Sequence, residues 1–326
     1  MTLILNSSEL QALLEIPEVI TVIEQAFREL SRGGCVIPPR FSLEVPDRQG
    51  VVLSMPSYMV ESGTMGIKVV SVYTRNPEKG LPTVIATYLL LDADTGKPLS
   101  FMDGVYITAI RTAATSAVAT KYLARKDSRT LGIFGAGVQG RFHLWALLSI
   151  LAFEEVRIYD INTEKAKELA REMHERHRVP VIVAPSPQKL VEASDVIVTA
   201  TTSPVPVFEG RDLRLGTHIN AIGAFTPVTR EVDSEAILRS RVVVDSYQGA
   251  WTEAGDILIL LNEGLIGRDH VKAELGEVVA GEKKVRLSPE DITLFKSVGL
   301  AIEDAATAKL AYEKALQRGM GQKISL

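Results

Sequence analysis

Through the middle of the chain, short apolar runs rich in β-branched residues alternate with stretches whose apolar positions recur every three or four residues. The runs are Leu131-Gly132-Ile133-Phe134, Val156-Arg157-Ile158-Tyr159, Val181-Ile182-Val183, Val196-Ile197-Val198, Ile219-Asn220-Ala221-Ile222 and Val242-Val243-Val244. Helical stretches from about Gln139 to Ile150 and from Thr163 to Arg176 separate the first of them. Ser186-Pro187 reads as the N-cap and first residue of another helix. Nearly all-apolar strands separated by helices are covered on both faces, the situation of a parallel sheet. Right-handed crossovers then predict an α/β fold, a doubly wound parallel sheet of the Rossmann type.

The chain ahead of this region is patterned differently. A helix from about Pro17 to Arg32, ended by Gly33-Gly34, leads into Pro38-Pro39-Arg40. Strand-like runs follow at Val51 to Met55, Gly66 to Tyr73 and Thr83 to Leu91, and Asp94-Thr95-Gly96-Lys97 is a hairpin-type turn into Pro98 to Met102. Strands joined by turns predict an antiparallel or mixed sheet, hence an α+β domain. An Ala/Thr-rich helix over about Tyr106 to Arg125 carries the chain onward. A last helix, about Gly299 to Arg318 and stopped by Gly319, has an alanine face at Ala301, Ala305 and Ala308 suited to close packing. Its expected return makes the first domain discontinuous, residues 1–123 with 303–326, against 124–302 for the second. A chain of 326 residues suits two domains.

Composition removes some partners. Lys+Arg 36 against Asp+Glu 40 gives a net charge of −4, so no global field draws nucleic acid or acidic membranes. The single cysteine, Cys35, can form neither an internal disulfide nor a multi-thiolate metal site, and no metal is expected. The N-terminus lacks a basic segment followed by an apolar one, and no run approaches the roughly 20 apolar residues of a membrane span. The expectation is a cytoplasmic protein.

Gly135-Ala136-Gly137-Val138-Gln139-Gly140 follows a predicted strand and opens a helix. In such a loop the first glycine makes the turn, the second admits a pyrophosphate to the backbone, and the third lets helix and strand pack. The helix N-terminus then supplies N–H donors to the anion. The next strand ends at Asp160, where a carboxylate can accept from both ribose hydroxyls. Ile161-Asn162 follow with no arginine to meet a 2′-phosphate. NAD(H) is therefore expected ahead of NADP(H), the second dinucleotide this fold accepts.

Three cations stand out in the first domain: Arg40 after a diproline, Lys68 inside a β-branched strand, and Arg111 in Ala-Ile-Arg-Thr-Ala-Ala. Lys68 should reach solvent or a specific partner, and two arginines can clamp a carboxylate bidentately. Ordinary snorkelling or local ion pairing is the plainer reading of each.

The sequence resembles the ornithine cyclodeaminase/mu-crystallin family. The resemblance runs from Pro38-Pro39-Arg40 to Gly299-Leu300-Ala301-Ile302-Glu303-Asp304. It is carried by Gly66-Ile67-Lys68, Asn76-Pro77-Glu78-Lys79-Gly80-Leu81-Pro82-Thr83, Arg111-Thr112-Ala113-Ala114, the glycine loop and His218-Ile219-Asn220-Ala221-Ile222-Gly223-Ala224. It implies a homodimer paired through the sheets of a substrate-binding domain, with Arg40, Lys68 and Arg111 holding a small amino or imino acid. It also implies that Thr83, Val138, Gln139, Asp160, Thr202 and Ser297 lie at the cofactor. One segment departs from the cyclodeaminases, which carry an acid and a lysine where this chain has Phe225 and Thr229. An apolar wall suits an aliphatic or cyclic imino acid, as in the alanine dehydrogenase and pyrroline-2-carboxylate reductase members.

The expected chemistry is hydride transfer to an α-imino acid, with Lys68 assisting proton transfer and its pKa lowered by burial beside two arginines. The alternatives are redox-neutral ornithine cyclodeamination and a non-catalytic, crystallin-like ligand carrier. His174 and His177 read as surface residues, His218 stays unassigned, and Trp145 and Trp251 read as packing. Glu290 and Asp291, after Ser288-Pro289, read as helix N-terminal charges.

Overall fold

Ile16, Val19, Ile20, Ile23 and Phe27 recur at helical spacing and are buried, so the segment closes as a helix with one face inward. Pro17 starts it, where its missing N–H costs nothing, and Gly33 at φ +74 leaves it. The computed structural model describes residues 1–325. Its contacts divide the chain into two compact units, Met1–Ala114 with the chain from Leu300 onward, and Thr115–Gly299.

The first unit opens with β1 (Thr2–Leu5), α1 (Ser7–Leu13), α2 (Ile16–Ser31), β2 (Cys35–Val36) and β3 (Phe41–Val45). It continues with β4 (Gly50–Met59), β5 (Thr64–Tyr73), β6 (Val84–Asp92), β7 (Pro98–Asp103) and α3 (Gly104–Leu123), within which the division falls. The second unit begins β8 (Thr130–Phe134), α4 (Val138–Leu148), β9 (Glu155–Tyr159), α5 (Thr163–His177), β10 (Val181–Val183), α6 (Pro187–Val191) and β11 (Val196–Thr199). After it come β12 (His218–Ala221), α7 (Ser234–Arg239), β13 (Ser240–Val244), α8 (Tyr247–Ala250), α9 (Gly255–Asn262), β14 (Val271–Glu274), α10 (Leu275–Val279) and β15 (Ile292–Lys296). The chain rejoins the first unit as α11 (Ala301–Arg318) and β16 (Gln322–Ile324).

The first unit's sheet is ordered β16-β1-β7-β6-β5-β4, with β2 and β3 sharing the far edge of β4. β1 runs parallel to β7 and the other pairings are antiparallel. Register divides the side chains between two faces. Met55, Lys68, Tyr88 and Met102 form one cross-strand row and all are buried. The opposite face carries Phe41, Leu43, Val69 and Ile85, each exposed by at least 42%. α11 packs on β4, β5 and β6, and Ala301, Ala305, Ala308, Ala311 and Ala315 are buried along it.

The second unit's sheet is wholly parallel, ordered β10-β9-β8-β11-β12-β15-β13-β14. The chain winds outward from β8 in both directions, so the crevice at the strand ends lies between β8 and β11. β11, β12 and β15 are buried at every position, as strands with two covered faces must be.

One element corrects the sequence reading. Ser288-Pro289-Glu290-Asp291 does not start a helix. Asp291 accepts from the Leu287 and Ser288 amides at 2.7 and 2.9 Å, closing a turn that feeds β15. Among the described residues no helix is long and apolar enough to cross a membrane.

Candidate active site

Lys68 lies on the covered face of β5, 2% exposed, where an isolated ammonium would be very costly. Its Nζ donates to Asp304 Oδ2 at 2.7 Å. Arg111, on α3 and 5% exposed, donates from Nε to the other oxygen of Asp304 at 3.1 Å and from Nη1 to Glu303 Oε2 at 2.7 Å. Both acids occupy the first turn of α11, where the helix dipole favours negative charge. The second oxygen of Glu303 accepts from the Leu300 amide and so caps that helix. Lys68 and Arg111 are thus brought together through one carboxylate.

Arg40 is half-buried just before Phe41. Phe41 pairs with Ser54, and the next residue of β4, Met55, pairs with Lys68, so register carries Arg40 toward the Lys68 row. Burial pushes the Lys68 ammonium down, Asp304 works against that, and Arg111 adds to it; the result is about 8. The expected lowering thus comes from burial, with Arg111 as its cationic neighbour. For Arg111 burial opposes the charge, but Asp304 and Glu303 outweigh it and hold the guanidinium above its ordinary value. Thr83, half-buried ahead of β6, accepts from the Tyr73 amide at 2.9 Å.

In the second unit, β8 ends at the glycine loop. Gly135 has φ +99, and a Cβ on Gly140 would come within 1.9 Å of the Gly135 carbonyl oxygen, so neither position admits a side chain. Gly137 is different. It is the N-cap of α4 and a Cβ there would meet nothing within 4 Å, so the protein itself leaves that space open. No side chain caps the helix. Val138 beside it is 53% exposed, and the buried Oε1 of Gln139 has no hydrogen-bond partner among the described residues. Open space, an uncapped helix N-terminus and an orphaned acceptor fit an anionic ligand with a donor group.

Asp160 follows β9 directly, with Oδ2 accepting from the Ala136 amide and Oδ1 from the Asn162 amide, each at 2.7 Å. The carboxylate is therefore oriented by the loop it was expected to serve, with lone pairs to spare. Thr202 is exposed after β11. Ser297 is buried and gives its hydroxyl to Asp245 at 2.9 Å. Phe225, in the loop after β12, is 44% exposed and so does not fill core. His218 is buried with Nδ1 3.0 Å from the Thr293 hydroxyl, and burial pushes it down to about 3.

Sequence reasoning missed the acids. Glu303 and Asp304 are separated from Arg111 and Lys68 by 192 and 236 residues, and no local pattern links them. Their one signal is two adjacent acids at the start of an alanine-faced helix. It also missed Glu231, Asp256 and Lys296. Lys296 is 1% exposed and pairs with Asp256 at 2.7 Å.

One unit with a doubly wound dinucleotide-type sheet and one α+β unit with a buried Lys–Asp–Arg set define the class of protein. The ornithine cyclodeaminase/mu-crystallin family model matches residues 1–319, and the chain belongs to that family. It is 41% identical to the alanine dehydrogenase of Archaeoglobus fulgidus over 99% of this chain and 98% of that one. The Thermococcus litoralis Δ1-pyrroline-2-carboxylate reductase, solved with NADH and L-proline, shares 49% identity at a TM-score of 0.96, covering 99% of this chain and 100% of its own. An archaeal alanine dehydrogenase dimer with bound NAD shares 40% identity at a TM-score of 0.94, with 99% of each chain covered.

Proposed function

We propose that this chain uses NAD(H) to reduce a small α-imino acid, either Δ1-pyrroline-2-carboxylate to proline or the imine of pyruvate and ammonia to alanine. The observation that carries the reading is Lys68, a buried ammonium tied through Asp304 to Arg111 and brought to about 8. Reducing a C=N bond requires hydride at carbon and a proton at nitrogen, and a group poised near neutrality can give and retake that proton. Lys68 is the proton donor. Arg111, held in one orientation by Glu303 and Asp304, is preorganised to grip the substrate carboxylate, and Arg40 is its second clamp.

Bound NADH supplies the hydride. Gly135, Gly137 and Gly140 with the α4 N-terminus hold its pyrophosphate, and Val138 and the free Oε1 of Gln139 border it. Asp160 takes the ribose, with Ile161, 95% exposed, offering an apolar contact to the base. Thr202 and Ser297 complete the proposed cofactor set, to which the family resemblance adds Thr83. NAD(H) is preferred because the Asp160 carboxylate repels a 2′-phosphate.

Phe225 favours a reductase over a cyclodeaminase. An ornithine ammonium against a benzyl group would lose its partner, at about 1–3 kcal/mol or more. The row of Phe41, Leu43, Val69 and Ile85 supports a homodimer formed through the first unit's sheet. Light scattering that returns the mass of one protomer would refute that assembly. A cytoplasmic location belongs to the same proposal, supported by the unpaired Cys35, and cell fractionation tests it.

The deciding experiment follows NADH absorbance with Δ1-pyrroline-2-carboxylate, and with pyruvate with and without ammonia. Ammonia-independent reduction of the cyclic imine assigns the ketimine reductase, and ammonia-dependent reduction of pyruvate assigns the alanine dehydrogenase. Release of ammonia from ornithine with no net NADH change would overturn both.

A further inference from the structure

Glu231 is fully buried in the second unit, in the segment after the β12 loop, and it bonds to neither an arginine nor a lysine. Its Oε1 accepts from the Thr201 amide and hydroxyl, each at 2.6 Å. Its Oε2 accepts from the Thr199 hydroxyl at 2.9 Å and from the Gly223 amide at 2.6 Å. Four donors converge on one carboxylate, and two of them are main-chain groups from loops that follow different strands, β11 and β12.

The anchor is itself anchored. Asp256 Oδ1 accepts from the Glu231 and Val232 amides at 2.8 and 3.1 Å, and Asp256 Oδ2 pairs with Lys296 at 2.7 Å. Lys296 also donates to the Ala224 carbonyl, so residues 223 and 224 are held from both sides. A Cβ on Gly223 would come within 2.6 Å of the Glu231 carboxyl carbon and 2.3 Å of the Thr201 carbonyl oxygen, so the two loops touch as closely as the chain permits.

We propose that Glu231 is the positioning residue for the nicotinamide end of the site, a carboxylate latch that fixes the loop bearing Thr202 against the loop bearing Phe225. The proposal rests on the dinucleotide reading given above. Thr202 follows the latched Thr201, and Phe225 lies two residues after the latched Gly223, so one side chain sets the separation of a cofactor contact from a substrate wall. Burying three ionisable groups here is a poor way to gain stability, since apolar residues fill such space as well. What it secures is one fixed geometry. The pyrophosphate and ribose ends are held elsewhere, by Gly135 to Gly140 and Asp160, so the latch should matter for hydride transfer far more than for dinucleotide affinity.

Glu231→Gln tests this. The amide keeps the shape, but its NH2 group cannot accept, so the Thr201 or the Gly223 amide loses its acceptor. The expected result is a fall in kcat of about 10²-fold, the scale of an ångström-sized misplacement, with the NADH dissociation constant unchanged. Amide hydrogen exchange should accelerate at residues 199–202 and 223–225 even without NADH. Thr201→Val, which keeps the amide but removes the hydroxyl that donates to Glu231 and accepts from the Ser203 amide, should lower kcat less, by about fivefold, the worth of the lost latch bond at about 1 kcal/mol. Full kcat in a folded Glu231→Gln protein overturns the proposal, whatever its melting temperature. If that variant does not fold, full kcat in Thr201→Val overturns it. A wild-type protein that binds no NADH would sink the dinucleotide reading, whereas unchanged exchange in Glu231→Gln sinks the latch itself.

Discussion

Lys68 and Lys296 are both almost fully buried lysines, each 2.7 Å from an aspartate, one in each unit. Their second neighbours differ. Lys68 shares Asp304 with a cation, Arg111, whereas Lys296 shares its surroundings with a carbonyl, that of Ala224, and offsets part of the rise that burial imposes on the Glu231 carboxyl. In the first unit burial disfavours the Lys68 charge and Arg111 shares the one carboxylate that supports it, so Lys68 holds its proton less tightly than an ordinary lysine. In the second, each charge is consumed in holding main chain. On the proposed reading, the same pair of residue types is reactive in one place and architectural in the other, and the neighbours decide which.

Exchanging each lysine for methionine should separate the two roles. Lys68→Met leaves Asp304 still paired with Arg111, so the fold should survive, while imine reduction falls about 10²–10⁴-fold, the usual contribution of a positioned proton donor. Near-normal turnover in that variant would remove Lys68 from the chemistry. Lys296→Met instead leaves Asp256 buried without its cation, and denaturant unfolding should record a loss of about 3–5 kcal/mol. A Lys296→Met protein as stable as the wild type would mean the pairing contributes geometry only.

The pH profile sharpens the contrast. Reduction needs Lys68 charged, so the reductive rate should fall as pH rises through about 8, and the oxidative rate should rise over the same interval. Asp304 holds the ammonium up against burial and Arg111, so Asp304→Asn should move this limb to lower pH. A limb that stays in place would mean that another group titrates.

How much of this was legible follows from how local each constraint is. The glycine loop could be read because a positive φ at Gly135 and the packing of Gly140 against Gly135 are demands within a few residues. The parallel strands could be read because burial on both faces leaves only apolar residue types. Lys68 and Arg111 were conspicuous as charges in apolar surroundings, but their partners belong to a helix 236 and 192 residues later, and only folding brings them together. β15 was missed because Ser288-Pro289-Glu290-Asp291 has the composition of a helix start, and what makes it a turn is the reach of Asp291 back to two amides. β1 and β16 are three or four residues long and gain definition only from β7 and from each other. Glu231 carried no signal, since an acid in a polar loop looks solvated until the loops close around it.

The smallest expected effect concerns Asp160, whose carboxylate holds the Ala136 and Asn162 amides and, on the proposed reading, also takes the ribose. Replacement by serine removes a negative charge from the place a 2′-phosphate would occupy and one acceptor from the ribose. It also weakens the bond that Ala136 makes to the carboxylate, so NAD itself should bind less well. Losing one charge-assisted hydrogen bond is worth about 1.5 kcal/mol, roughly tenfold in kcat/KM for NADH. NADPH should gain as repulsion disappears, so the preference narrows from both directions. No arginine stands at Ile161 or Asn162 to take the phosphate, so the preference should approach parity without inverting. Unchanged selectivity in Asp160→Ser would show that the carboxylate serves the loop alone and that the ribose is read elsewhere.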